Sequence, residues 1–592
     1  MTLNILNKIN EPKDLKYLSR EELNLLSSEI RDVLIKRVST TGGHFGPNLG
    51  MVEATIALHY VFNSPVDKFV YDVSHQSYVH KMLTGRKEAY INPEKFKTVT
   101  GYTEPKESEH DFFTIGHTST SISLACGLAK GRDAVGSNEN IIAIIGDGSL
   151  SGGEAYEGLN NAAASNKNII ILVNDNDISI AENHGGLYKN LAQLRESEGK
   201  LDNNFFKSLG FEYHFVKDGN NLESLIETFE KVKDTTRPVV VHMHTIKGKG
   251  YEDAENNKEA FHWVMPFDLE TKEPLFKGEY VKSYGDITED FLIEKAKKDK
   301  SIVAITAATP GIVGVNRFRS ELQDQYVDVG IAEEHAIALA SGMAKRGAKP
   351  VAAFLSSFIQ RTYDQLSQDL AINNNPATIM VYWGGISGSD VTHLGLFDIP
   401  LISNIPNMVY LAPTTKEEHI AMVDWAIEQD KHPVAIRVPN MEVVSTGVAV
   451  EANFDELNKY VMVEEGKDVA IIGLGSFFHL GKKVQERLRN TGINATLINP
   501  RFITGVDEDL LNELKENHKV VITLEDGILD GGFGEKISRF YGNSQMRVLN
   551  FGATKEFTDS VELDVLYERY HLTEELIVED IEKVLADIKV FA

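Results

Sequence analysis

Two apolar runs, each ending in an oxygen-rich turn, constrain this chain more than any other feature. Residues 140–145 (Asn-Ile-Ile-Ala-Ile-Ile) run into Gly146-Asp147-Gly148, and residues 168–173 (Asn-Ile-Ile-Ile-Leu-Val) run into Asn174-Asp175-Asn176. Both read as buried strands. Between them, residues 153–165 place Ala155, Leu159, Ala162 and Ala163 on a helical spacing, so the unit is strand, helix, strand. Such a crossover builds a parallel sheet, and ligands of open parallel sheets sit outside the carboxyl ends of the strands, where Asp147 and Asn176 fall. Oxygen ligands flanked by glycines suit a magnesium ion that holds a diphosphate, because magnesium takes carboxylate, carbonyl and phosphate oxygens.

Either turn alone reads equally well as a plain loop. The two in order, after two strands, match the thiamine diphosphate signature. Further motifs extend the match: Gly42-Gly43-His44-Phe45-Gly46-Pro47-Asn48-Leu49-Gly50, Asp72-Val73-Ser74-His75-Gln76-Ser77-Tyr78, Gly116-His117-Thr118-Ser119-Thr120-Ser121-Ile122-Ser123 and Ala332-Glu333-Glu334-His335-Ala336. With these the chain resembles the 1-deoxy-D-xylulose-5-phosphate synthase family of transketolase-like thiamine enzymes over nearly its whole length.

Length and charge limit the alternatives. At 592 residues the chain exceeds what one core usually serves. A net charge of −27 disfavours nucleic acid or an anionic membrane as the main partner. Cys126 is the only cysteine, so no intrachain disulfide forms. There is no apolar run of membrane-spanning length, and residues 1–11 lack the apolar core of a signal peptide. The expectation is a soluble cytoplasmic protein.

The fold class expected is α/β: three doubly wound parallel-sheet domains in series, as in transketolase. Their expected bounds are 1–275 (diphosphate-binding), 284–445 (pyrimidine-binding) and 460–592 (C-terminal). Ser19 and Glu22 have capping-box spacing and Leu18 and Leu23 fit a hydrophobic staple, which marks a helix leading to His44. Residues 238–242 close the first domain as a strand. Strands are expected in the second at 302–307, 326–331, 350–355, 377–383, 408–412 and 434–438. In the third they are expected at 469–472, 495–498, 520–524 and 547–549, after an acidic linker around Glu464. The polar stretch 182–221 reads as a mobile loop. Gly473-Leu474-Gly475 lacks the third glycine of a dinucleotide site.

The resemblance implies thiamine diphosphate and Mg2+ as cofactors. Asp147, Asn176 and the carbonyl of Ile178 would hold the metal. His75, His117, Ser119, Gly146, Gly148 and Ser149 would line the diphosphate end. Glu333 would hydrogen-bond the aminopyrimidine and Phe358 would stack on it. From the residues alone, Glu333 and Glu334 serve equally as helix N-terminal acids, and Phe358 reads as core. His44, His75, His262 and His393, with Arg361 and Asp390, match positions around the reacting carbons, where histidine suits proton transfer near neutral pH. The implied partners are a 2-keto acid such as pyruvate, an aldehyde and a second copy of the chain. In the implied homodimer, the first and second domains enclose each cofactor.

Three positions depart from the family. Its acceptor phosphate is held by a tyrosine and two arginines, and this chain has Leu355, Trp383 and Asn440 there. A dianion leaving water needs bidentate cationic partners. The expected function is therefore a carboligase that decarboxylates a 2-keto acid and joins the two-carbon unit to an aldehyde other than a simple triose phosphate. Ketol transfer without decarboxylation and a non-catalytic paralogue are the alternatives.

Overall fold

The sheets are built from apolar runs that bury both faces, and helices cover each face. The computed structural model describes residues 3–591 apart from 166, 277, 279–280 and 451–453. The chain divides into two units, residues 1–279 with 330–332, and 280–329 with 333–592.

In the first unit, strands β1 (Gly43–His44), β2 (Lys68–Tyr71), β3 (Ile141–Gly146), β4 (Ile170–Asp175), β5 (Glu212–Val216), β6 (Val239–His244) and β7 (Trp263–Val264) appear in chain order. Five form a parallel sheet in the order β2-β3-β4-β6-β5. Alternation along β3 and β4 sends Ile142, Ile144, Ile170 and Leu172 to one core and Ile141, Ile145, Ile171 and Val173 to the other. Hence these runs are continuous rather than alternating. The helices Ser121–Val135 and Gly153–Ala163 cover the second face through Ile122, Ala125, Leu159 and Ala162.

The helix Arg20–Thr41 starts at the expected capping box, with Ser19 accepting from the Glu22 amide at 3.2 Å. Its last residues lead into β1, which pairs antiparallel with β7 and so sets His44 opposite Trp263.

The stretch 182–221 is not an irregular loop. It contains the helices Gly186–Glu196 and Phe205–Leu209 and strand β5. Tyr188, Leu191 and Leu194 are buried at helical spacing, and the polar residues between them face outward. Strand β2 also escaped the sequence reading because four residues are too few to establish a period.

In the second unit, β8 (Ile302–Thr306), β9 (Tyr326–Asp328), β10 (Lys349–Leu355), β11 (Thr378–Tyr382), β12 (Val409–Leu411) and β13 (Val434–Arg437) form a parallel sheet ordered β12-β13-β11-β10-β8-β9. A further sheet contains β14 (Val461–Glu464), β15 (Asp468–Gly473), β16 (Thr496–Asn499), β17 (His518–Ile528) and β18 (Arg547–Ala553), ordered β14-β16-β15-β17-β18. The expected linker around Glu464 is instead β14, an antiparallel edge strand with a register shift between Met462 and Glu464. Its exposed Glu464 suits an edge, where charge discourages further pairing.

These two sheets share a core that contains Ile379 and Tyr410 from one and Ile472 and Ile498 from the other. Arg437 ties them together electrostatically. Its Nε donates to Asp398 Oδ2 at 2.7 Å and its Nη2 to the Asp526 carbonyl at 2.7 Å, all buried or nearly so.

Candidate active site

In the first unit, the turns after β3 and β4 leave the sheet side by side. Gly146 pairs with Asn174, and the Asp147 amide donates to the Asn174 carbonyl at 3.0 Å. Asp147, Asn176 and Ile178 line one cavity together with His75, Thr118 and Ser149. Asp147 Oδ2 accepts from Asn183 Nδ2 at 2.8 Å. Burial, reinforced by the nearby Asp175, pushes the Asp147 carboxyl up to about 8. Asn176 Oδ1 is buried and accepts no hydrogen bond. A side chain at Gly148 would place its Cβ 2.4 Å from Ser179 Cβ, so the backbone here is packed as closely as glycine allows.

These features fit a bound cation with its diphosphate: an orphaned amide oxygen, a buried acid and a bare backbone wall. Among the described residues no three His, Cys, Asp or Glu side chains gather as a metal site. Magnesium does not require that, since it is commonly held by one or two carboxylates plus phosphate oxygens.

The middle residue of the second turn anchors it. Asp175 is fully buried, accepts from Arg195 Nη1 at 2.7 and 2.8 Å, and is bonded to His242 Nε2 at 2.8 Å. Tyr213 shares a hydrogen bond with the other ring nitrogen of His242. Although burial alone would raise the Asp175 carboxyl, His242 and Arg195 outweigh it and hold the group below the usual range. The clamp fixes the backbone on either side, and sequence reading missed it because Arg195 and His242 are 20 and 67 residues away.

His44, His75 and His262 gather with ring centroids 4.9 to 5.7 Å apart. Lys247, another residue the sequence reading missed, lines the cavity just beyond β6. Its Nζ donates to the Ser179 carbonyl at 2.6 Å and lies 3.0 Å from His262 Nδ1. Burial brings this lysine down to about 7, with Asp147 opposing the shift. Burial, then Lys247 and the other two histidines, push His262 well below the ordinary histidine value. Neutral His262 that accepts at Nδ1 carries its proton on Nε2.

His117 and Ser119 are not among the cavity-lining residues; Thr118 between them is. Ser119 instead staples loops together. Its amide donates to Asp72 Oδ1 at 2.8 Å and its hydroxyl to the Ser149 carbonyl at 2.8 Å.

In the second unit, Glu333 opens the helix Glu333–Lys345 just beyond β9. It is buried, at 4% exposure, while Glu334 is partly exposed. That difference separates two neighbours that residue type and helix position left equivalent, and that only the family resemblance had told apart. Burial pushes Glu333 up to about 7 against the pull of Arg361, whose Nη1 lies 3.7 Å from Glu333 Oε2. That oxygen accepts no hydrogen bond. A carboxyl raised to about 7 holds a proton on a substantial fraction of molecules near neutrality, and in that form its open oxygen is able to donate a hydrogen bond. Phe358 packs edge-on against His393 at 5.7 Å, and His393 Nδ1 lies 3.2 Å from Asp390 Oδ1. Against burial, which raises it, His393 and Thr392 hold the Asp390 carboxyl low. These residues follow β9, β10 and β11, at one edge of the sheet.

At the departing positions, Leu355 ends β10 buried at 3% exposure. Trp383 is 55% exposed and adopts a left-handed φ of 56°. Asn440 is exposed beyond β13. Arg437, three residues earlier, is committed to Asp398 and Asp526.

A parallel α/β fold with Asp147 and Asn176 buried at one strand edge and Glu333 buried at another suits the thiamine diphosphate-dependent transferases, which use a divalent metal such as Mg2+, and the comparisons show that class. The 1-deoxy-D-xylulose-5-phosphate synthase family model matches residues 6–202 and 198–245. The transketolase pyrimidine-binding and C-terminal domain models match 282–444 and 458–577. A 1-deoxy-D-xylulose-5-phosphate synthase of Natranaerobius thermophilus is 40% identical, with 90% of each chain covered. One of Caldanaerobacter subterraneus subsp. tengcongensis is 39% identical, with 98% of each covered. A solved transketolase from Pichia stipitis aligns over 96% of this chain and 98% of that one at 16% identity and a TM-score of 0.45. The chain belongs to the 1-deoxy-D-xylulose-5-phosphate synthase family. Among the described residues no helix is long and apolar enough to cross a membrane.

Proposed function

We propose that the chain is a carboligase that decarboxylates pyruvate or a similar 2-keto acid and joins the two-carbon unit to an aldehyde lacking the usual phosphate. In this reading residues 1–275, 284–445 and 460–592 are the diphosphate, pyrimidine and C-terminal domains, and the enzyme works in the cytoplasm. Asp147, Asn176 and the Ile178 carbonyl hold Mg2+. Gly146, Gly148, Ser149 and the 117–119 turn border the diphosphate. Glu333 donates its proton toward the pyrimidine nitrogen, with Phe358 against the ring. The bound cofactor supplies the electron sink for decarboxylation. His44, His75, His262 and His393 handle protons at the substrate oxygens, with Asp390 orienting His393 and Arg361 beside Glu333.

The observation that carries the acceptor reading is Leu355, an apolar side chain buried at 3% exposure where the family places a phosphate-binding tyrosine. Each charge-assisted hydrogen bond lost is worth about 1.5–3 kcal/mol. Two such losses correspond to a penalty of roughly a hundredfold or more against a phosphorylated aldehyde. Steady-state kinetics with pyruvate should therefore give a higher kcat/KM for some neutral aldehyde than for glyceraldehyde 3-phosphate. A value for the phosphorylated aldehyde well above that of every neutral one would restore the ordinary synthase.

The resemblance also supports a homodimer. Light scattering at micromolar concentration is expected to give twice the chain mass of 65.8 kDa. A single-chain mass with activity retained would reject this.

A further inference from the structure

A second cavity, of about 680 Å³, lies in the second unit. That is within the range of roughly 300–1,000 Å³ typical of small-molecule sites. It is walled by Ile386 to Gly388 beyond β11, by Asn440, Met441 and Val444 beyond β13, and by the start of the helix Phe477–Asn490 beyond β15. Asp526 from β17 and residues of the 563–575 stretch complete it. The cavity therefore sits at the carboxyl ends of strands from both sheets, the edge at which open parallel sheets bind ligands. It also shares a loop with the reaction site. Asp390 is two residues past Gly388, a reach of at most about 7 Å along the chain.

We propose that this cavity holds the far end of the aldehyde acceptor and that the group it takes is uncharged and partly apolar, of alkyl or aryl character. The assignment rests on the carboligase reading. Asn440, at a position where the family carries a phosphate arginine, lines the cavity. Phe477 and Tyr567 form an aromatic wall, edge to face at 6.1 Å, and Leu480 and Met441 add apolar surface. The charged groups disfavour a phosphate. Asp526, Glu574 and Glu575 each already hold a cation: Arg437 lies 4.0 Å from Asp526, Lys483, the one lysine or arginine among the described lining residues, lies 3.5 Å from Glu574, and Arg487 lies 2.8 Å from Glu575. His479 is also engaged, with Nε2 donating to the Thr414 carbonyl at 2.6 Å. A dianion placed here would find the one lining lysine already committed to a carboxylate.

Leu480→Trp and Met441→Trp would each add bulk to the cavity lining. Both positions are half-buried, and they lie on different elements, so misfolding of one leaves the other informative. With pyruvate as donor, wild type is expected to prefer 3-phenylpropanal to propanal in kcat/KM. Each variant should lower that ratio by about tenfold or more. Saturation-transfer NMR with the unreactive alcohol 3-phenylpropan-1-ol needs no turnover; the alcohol should contact wild type and lose contact in both variants. Carbon dioxide release from pyruvate tests the carboligase reading separately. Alcohol binding of this pattern without carbon dioxide release would remove that reading and leave the cavity's ligand class standing. Carbon dioxide release with an unchanged ratio in both variants, or no contact between the alcohol and wild type, would overturn the inference.

Discussion

Replacement of Asp147 by alanine is expected to abolish binding of thiamine diphosphate. The residue follows β3 and lines the cavity, is 2% exposed, and is the only carboxylate among the three groups proposed to hold the metal. A diphosphate leaving water requires an opposite charge, and without the Mg2+–carboxylate link that charge is not fixed in place. Breaking a buried charge pair by removing one partner typically costs about 3–5 kcal/mol, or roughly a factor of 10² to 10³ or more in affinity. Calorimetry with cofactor and magnesium would measure it. The control is circular dichroism, because the Asp147 backbone amide, which bonds the Asn174 carbonyl, survives the substitution. A variant of native fold that binds with normal affinity would sink the metal assignment.

Much of the scaffold around this site was readable in the sequence because its signals are local. Buried parallel strands are continuous apolar runs, so 140–145 and 168–173 declared themselves, and the capping box at Ser19 marked its helix within four residues. The missed elements failed for matching reasons. Strand β2 has four residues, β14 ends in an exposed glutamate that resembles a linker, and in the helix Gly186–Glu196 a narrow buried stripe is diluted by polar residues. The site divides the same way. Asp147 and Asn176 were found through the strands they end, but the Arg195–Asp175–His242 clamp and the Lys247–His262 contact join residues 15 to 67 positions apart, which no single-sequence pattern encodes. Glu333 and Glu334 were inseparable by type and helix position. The family resemblance preferred Glu333, and in the structure burial separates the two.

That distinction is the basis of the remaining large effect. Glu333→Gln is expected to leave cofactor binding within a few fold while slowing exchange of the cofactor's C2 proton by roughly 10²–10⁴, the usual contribution of a positioned acid–base group. Glutamine preserves size and can still donate a hydrogen bond, so the contact that orients the pyrimidine persists. It cannot release a proton to a ring nitrogen, so the step that depends on proton position is lost. The native carboxyl is suited to that step because burial raises it to about 7, which keeps a large fraction protonated near neutrality. Arg361, 3.7 Å away, stops the rise from going further and leaves the group able to ionise. The diphosphate contacts proposed for Asp147 and Asn176 are untouched by this substitution, which is why affinity and exchange should separate. Deuterium exchange at C2 followed by NMR, beside calorimetry of cofactor binding, measures both quantities on one sample. Glu334→Gln serves as the paired control, because its side chain is partly exposed and should exchange at the wild-type rate. If the defect appears in Glu334→Gln and not in Glu333→Gln, burial has pointed to the wrong neighbour and the proposed acid must be reassigned.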